Sequence, residues 1–207
     1  MNYLFIDTSS STAIVAIMKD TNIVSCFNEK VDNDLSVKIF PIIESVFNNS
    51  GITPNDIDTI FVVNGPGSFT GVRIGVTIAK TYAWSLNVKI VPISSLELLA
   101  TTKIAGEYVV PMIDARRNFV YGGIYDNDLN VKYNDNYIDI DELISLVPKN
   151  SIIVSYDELD IDHIKPNVDL VKIVSKHLND EGVNPHQLNP NYLKKTEAEE
   201  NLSKGNI

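Results

Sequence analysis

The chain is expected to fold as an α/β protein of two related lobes, each a mixed sheet carrying helices, with the second lobe reduced. Three observations predict this. A meander of short apolar runs separated by turn residues opens the chain and leads into alternating helical and strand patterns. Near Gly106 the strand pattern starts again. Finally, 207 residues that are 44% hydrophobic and 21% charged can build a real core and fill one large domain or two small ones. The expected division is 1–105 for the first lobe and 106–207 for a smaller, acidic second lobe with a polar tail.

Taken in order, Tyr3 to Asp7, Ala13 to Met18 and Ile23 to Asn28 are apolar runs joined by Ser9-Ser10-Ser11 and Asp20-Thr21-Asn22, so an antiparallel meander is expected. From Leu35 to Phe47, apolar residues recur at helical spacing. Pro41 should start or bend that helix, and Asn48-Asn49-Ser50-Gly51 should stop it. Thr59 to Asn64 is a β-branched strand, and a glycine-rich turn then opens a helix to about Leu86. Ile90 to Pro92 is a strand, and Ser94-Ser95 caps a helix to about Thr102. In the second half, Tyr108 to Asp114 and Phe119 to Tyr125 should pair as a hairpin, with Leu129 to Ile138 adding a third strand. Asp141 to Val147 is a short helix behind an acidic cap, Ile152 to Ser155 a strand, and Leu170 to Leu178 one apolar helical face. After Pro185 the sequence is polar except at Tyr192-Leu193, and Glu197 to Leu202 is a candidate helical turn.

Charge and absences exclude several functions. The net charge is −10. Residues 1–105 hold 7 Lys and Arg against 9 Asp and Glu, and residues 106–207 hold 10 against 18. An acidic surface repels phosphate backbones, so direct grip on nucleic acid is not expected. No apolar stretch reaches the roughly 18 residues of a membrane span, and the start lacks the basic stretch of a secretory signal. The one cysteine, Cys26, rules out an internal disulfide, and it reads as a small core residue; a reducing cytoplasm is the expected location. His163, His177 and His186 do not pair at helical metal spacing. No metal site and no cofactor are expected. His177 reads as a packed histidine, Asp157 to Asp162 as a solvated acidic loop, and no Gly-x-Ser-x-Gly elbow occurs.

Three stretches remain as candidates for function. Asp7-Thr8-Ser9 ends the first strand, where a carboxylate and hydroxyls can hold a hydrated cation and phosphate, or simply satisfy their own turn. The run from Gly65 to Gly75 is neither a P-loop nor a dinucleotide fingerprint, since no Gly-Lys-Ser/Thr follows and the glycine spacing differs. The helix it opens is apolar nearly all round, and so is the helix over Leu35–Phe47. A helix on a sheet needs one apolar face, so the surplus points either to mutual cover or to a docking surface. The turn Asp114-Ala115-Arg116-Arg117-Asn118 offers two guanidiniums to an anion, or to solvent.

These stretches, with Ile6-Asp7-Thr8-Ser9, Val120-Tyr121 and Pro190-Asn191-Tyr192-Leu193 in the same order, resemble the TsaB (YeaZ) family along about the whole chain. The resemblance implies a two-lobed fold of the actin, Hsp70 and sugar-kinase (ASKHA) type. It also implies a place in bacterial threonylcarbamoyladenosine (t6A) biosynthesis on tRNA, as the non-catalytic partner of the paralogue TsaD, with TsaE joining the pair. No residue is then catalytic, and tRNA is met only through the complex. Pairing with TsaD, or with a second copy when alone, would use the two first-lobe helices, here through Ile39, Phe40, Ile43, Phe47, Gly71, Ile74, Gly75, Ile78 and Tyr82. The metal-binding histidines of the paralogue's first long helix have no counterpart, and Leu35 stands where many members keep one histidine. The hairpin turn at Ala115–Asn118 lacks the glycines that let backbone amides reach phosphate in nucleotide-binding relatives. Asp7, Thr8 and Ser9 remain, which leaves weak nucleotide binding open. The alternative is an ATP-dependent kinase-like or carbamoyl-transferring enzyme built on Asp7; the missing histidine pair speaks against a metalloprotease.

Overall fold

The computed structural model describes residues 1–31 and 34–194; the candidate turn at Glu197–Leu202 lies outside them. Strands β1 (Asn2–Asp7), β2 (Thr12–Lys19) and β3 (Asn22–Lys30) form the expected meander. Helix α1 (Leu35–Ser50) follows, with Pro41 inside it, and then β4 (Thr59–Val63), α2 (Phe69–Leu86), β5 (Lys89–Ile93) and α3 (Ser95–Ala100). The chain continues through β6 (Tyr108–Asp114), β7 (Phe119–Asp126), β8 (Val131–Asp139), α4 (Ile140–Leu146), β9 (Ser151–Val154) and α5 (Leu170–His177). Among the described residues no helix is long and apolar enough to cross a membrane.

The two sheets repeat one plan. The first runs β3-β2-β1-β4-β5, antiparallel through the meander and parallel from β1 to β4 to β5. The second runs β8-β7-β6-β9, antiparallel through its own meander and parallel from β6 to β9. It lacks only a fifth strand, so the second lobe is the reduced one. Strands β1, β2, β4 and β5 are apolar along nearly their whole length because both faces are covered, whereas the edge strand β3 is largely exposed. Leu4, Ile6, Ile60 and Val62 pack under α1 and α2, while Tyr3, Phe5, Phe61 and Val63 face the other way, towards α3, α5 and the second sheet. One core therefore runs continuously between the lobes, and α4 closes the far face of the second sheet around Leu143.

Helix α3 is buried throughout, including Glu97. That carboxylate is satisfied from α5: Lys176 Nζ lies 2.7 Å from one oxygen and His177 Nε2 3.0 Å from the other. Burial pushes Glu97 up, but the hydrogen bonds from His177 and Lys176 outweigh it, and the carboxyl titrates below its usual range. The bond to Glu97 raises His177, and Asp180 on its other ring nitrogen at 2.7 Å adds to the effect. His177 is thus packed, as expected, and also ion-paired.

Two expectations are corrected here. Cys26 is exposed, because β3 is the edge strand and α1 covers only its opposite face. The stretch after α5 does not stay with the second lobe. Val183 bridges to Ile90 on the outer edge of β5, Leu188 joins the core under α2, and the Asn191 N–H donates to the Asn64 carbonyl at 2.7 Å. Residues 183–192 form a strap on the first lobe, so the second lobe expected over 106–207 loses them.

Helix α2 lies hard against the end of β1. The Thr8 hydroxyl donates to the Gly71 carbonyl at 2.7 Å, and a Cβ on Gly71 would come within 2.0 Å of the Thr8 carbonyl oxygen. A Cβ on Gly75 would meet the Thr8 hydroxyl at 2.4 Å. The first contact is with backbone and cannot be relieved by a rotamer change. Gly71→Ala should lower stability by about 2–3 kcal/mol in urea unfolding, whereas Ser85→Ala on the exposed side of the same helix should change it by less than about 0.5 kcal/mol.

Candidate functional site

A cleft of about 650 Å³ opens between the lobes. Asp7, Ser9 to Ser11 and the start of α2 form one wall; Ile113 to Arg116, Tyr121, Tyr156 and Asp157 form the other, with Ser95 and Leu99 of α3 between them. Alternation along β1 explains the placement: Tyr3, Phe5 and Asp7 share the interlobe face, while Thr8 turns towards α2. Glycine at position 67 is required by sterics, since a Cβ there would lie 2.3 Å from the Ser9 carbonyl oxygen. The Ser68 N–H donates to that same carbonyl at 2.7 Å, and the Ser68 hydroxyl caps α2 by accepting from the Gly71 N–H.

Asp7 is fully enclosed and accepts the Ser9 N–H at 2.8 Å. Burial pushes its pKa up to about 6, against the lowering effect of the Ser9 N–H and hydroxyl. Tyr156 lines the same cleft and is pushed up to about 12, first by burial and then by the Asp7 charge. On the second-lobe wall, Asp114 accepts the Arg116 N–H at 2.7 Å, and its own N–H donates to Asp157 at 2.8 Å. Arg116, Arg117 and Asn118 all take left-handed backbone, and of the two arginines only Arg116 lines the cleft. The cleft therefore joins one carboxyl of unusually weak acidity to hydroxyls and aromatic rings. Among the described residues no group of three or more His, Cys, Asp or Glu could hold a metal ion.

A second hollow, about 470 Å³ and mostly apolar, lies between α1 and α2. Ser36, Ile39 and Phe40 line it from α1, and Phe69, Thr70, Arg73, Ile74, Thr77 and Ile78 from α2. Phe40 and Phe69 are exposed, at 57% and 59%. Of the nine residues expected to meet a partner, Phe40 is exposed and Ile74 and Tyr82 are half-buried. Ile39 and Ile78 are buried and form the groove floor. Ile43 and Phe47 are core residues, with Phe47 stacked on Tyr82, and Gly71 and Gly75 face Thr8. Those four are withdrawn from any surface because the first lobe itself consumes them. Asp7, Thr8 and Ser9 stay together, though only Asp7 and Ser9 face the cleft. The sequence reading missed Phe69, Arg73 and Thr77, whose spacing of four marks one helical stripe. It also missed Tyr156 and Asp157, for which no local signal exists.

Two lobes of like topology enclosing a cleft, with an apolar groove on the outer helices of the first, define a two-lobed α/β protein. The model of the family described as "TsaD: tRNA N6-adenosine threonylcarbamoyltransferase" matches residues 28–168, and the chain belongs to that family. It is 41% identical over 126 residues to the tRNA threonylcarbamoyladenosine biosynthesis protein TsaB of Bacillus subtilis, covering 60% of this chain and 55% of that one. It is 33% identical over 133 residues to the TsaB of Escherichia coli, covering 63% and 57%. The chain spans about half the length of the curated relatives it matches. Its fold is similar to YeaZ from Pseudomonas aeruginosa, with a TM-score of 0.78 and 22% identity over 93% of this chain and 99% of that one. It is likewise similar to a protein described as "uncharacterized … with similarity to peptidase YEAZ", with a TM-score of 0.80 and 21% identity over the same shares.

Asp7 yields a test of its environment. Its folded pKa of about 6 lies above the ordinary 3.8, so the native state holds more protons between these values and stability should fall as pH rises from about 4 to 6. The full loss attributable to this carboxyl is about 3 kcal/mol. Asp7→Asn keeps an acceptor for the Ser9 N–H; it should remove that decline and stabilise the protein at pH 7.5 in urea unfolding. An unchanged pH profile would show that Asp7 is ionised without cost.

Proposed function

We propose that this chain is the non-catalytic partner of a TsaD-type threonylcarbamoyltransferase in the cytoplasm, serving t6A formation on tRNA. It docks through the α1/α2 groove, offers TsaE a joint surface and meets tRNA only within the complex. Alone, it self-pairs through the same face. The observation that carries the reading is the groove itself: exposed Phe40 and Phe69 flank a mostly apolar hollow between α1 and α2, with buried Ile39 and Ile78 at its floor. Exposed aromatic side chains beside an apolar hollow are what an interface centre uses. Family membership and the relatives named TsaB support the pathway. The contribution to rate would then be a shift of the partner's population towards its productive form.

The test is reconstitution of tRNA threonylcarbamoylation with and without this chain. Phe40→Asp changes an exposed side chain and should leave thermal unfolding unchanged while weakening the TsaD pair at least about tenfold. Substitutions at Ile43 or Ile78 would damage the core and cannot report on docking. Full modification activity without the chain would overturn the reading.

One observation favours a second reading. Asp7 lies enclosed at the wall of a hydroxyl-rich cleft of about 650 Å³, which suits an ATP-dependent kinase-like or carbamoyl-transferring enzyme. Calorimetry with ATP and Mg²⁺ separates the two. Micromolar affinity abolished by Asp7→Asn would favour the enzyme, and heat signals indistinguishable from dilution would favour the binding subunit.

A further inference from the structure

Arg73 stands at the junction of two surfaces. It lines the α1/α2 groove and also a hollow of about 560 Å³ between α2 and the C-terminal strap. Its guanidinium carbon lies 3.6 Å over the centre of the Phe69 ring. Its Nε donates to the Tyr192 hydroxyl oxygen at 2.6 Å, and the Tyr192 ring sits 5.7 Å from that of Phe69. An exposed arginine ordinarily samples many rotamers; here an aromatic face and a tyrosine hydroxyl hold the planar group between them. The strap itself is anchored by the Asn191 N–H to Asn64 and by Lys80 Nζ donating to the Leu188 carbonyl at 2.8 Å. Among the described residues no carboxylate pairs with Arg73, although one Nε bond leaves most of its donors unused.

Charge then selects the occupant. Arg73 is the one charged side chain among the residues that line the groove, on a chain whose net charge is −10. A guanidinium at an apolar groove is complementary to a carboxylate on the surface that fills it. A second copy packed face to face would bring its own Arg73 to the contact, and like charges facing each other disfavour that pairing.

Resting on the docking reading above, we infer that Arg73 is the specificity-determining residue of the groove. Held in place by Tyr192, it takes a carboxylate on an apolar helix face of a different chain, and so favours that chain over a second copy of this one. The C-terminal strap is therefore part of the docking surface, although it touches the groove only through Arg73 and Phe69.

The experiment measures affinity of the full chain for the TsaD-type partner at low and high salt, together with self-association by sedimentation. Arg73→Glu should weaken the heterologous pair by about thirtyfold or more and flatten its salt dependence. Tyr192→Phe keeps the ring and loses the hydroxyl; it should weaken the pair by about three- to tenfold with an unchanged melting temperature. This milder variant decides the matter if Arg73→Glu fails to fold. If Phe40→Asp also leaves binding intact, the groove is not the docking site and the underlying reading fails. If Phe40→Asp weakens the pair but Arg73→Glu and Tyr192→Phe bind as wild type at both salt levels, the groove stands and the role of Arg73 falls. Loss of self-association in Arg73→Glu, equal to the loss of the heterologous pair, would place the carboxylate on a second copy and overturn the preference.

Discussion

The close seating of α2 on the end of β1 governs much of the molecule. Gly71 and Gly75 bring the helix axis down onto Thr8, and Gly67 lets the preceding turn rest on Ser9. With larger residues at these positions, α2 would lift off the sheet by the width of a methyl group or more. The groove against α1 and the mouth of the interlobe cleft share Phe69 and Thr70 at the start of that helix, so both would change shape together. Glycine here acts by absence: it lets one backbone touch another.

A second constraint comes from α3 and α5, which lie between the sheets in one continuous core. Glu97 would be costly to bury alone. Lys176 and His177 offset that cost and tie the link after the first sheet to the last helix of the second lobe. The lobes are therefore joined by apolar packing with one ionic clasp inside it. The cleft left between the lobes holds Asp7 and several serine hydroxyls.

Much of the fold was legible in the residues because local pattern and tertiary environment agree. Each meander, both long helices and the hairpin at Asp114–Asn118 sit within a few residues of where spacing and turn chemistry put them. The site was less legible, for a physical reason. Ile39, Ile43, Phe47 and Ile78 stand out as apolar, and apolar groups are what the first lobe buries for its own stability. The stripe left outside, Phe69, Arg73 and Thr77, is mixed in character and looks unremarkable when read along the chain.

The sequence by itself determined the two-lobed α/β class, the family and the absence of helical histidine pairs, since each depends on residue types at short spacing. Tertiary structure alone decided which face of each helix is spent on the core, that Cys26 lies on an open edge, and that Tyr156 and Asp7 line one cleft. It also decided that residues 183–192 return to the first lobe, where Tyr192 reaches Arg73 across 119 positions of sequence. Local propensity carries no information about such pairings, because they are set by which surfaces the packed lobes leave uncovered.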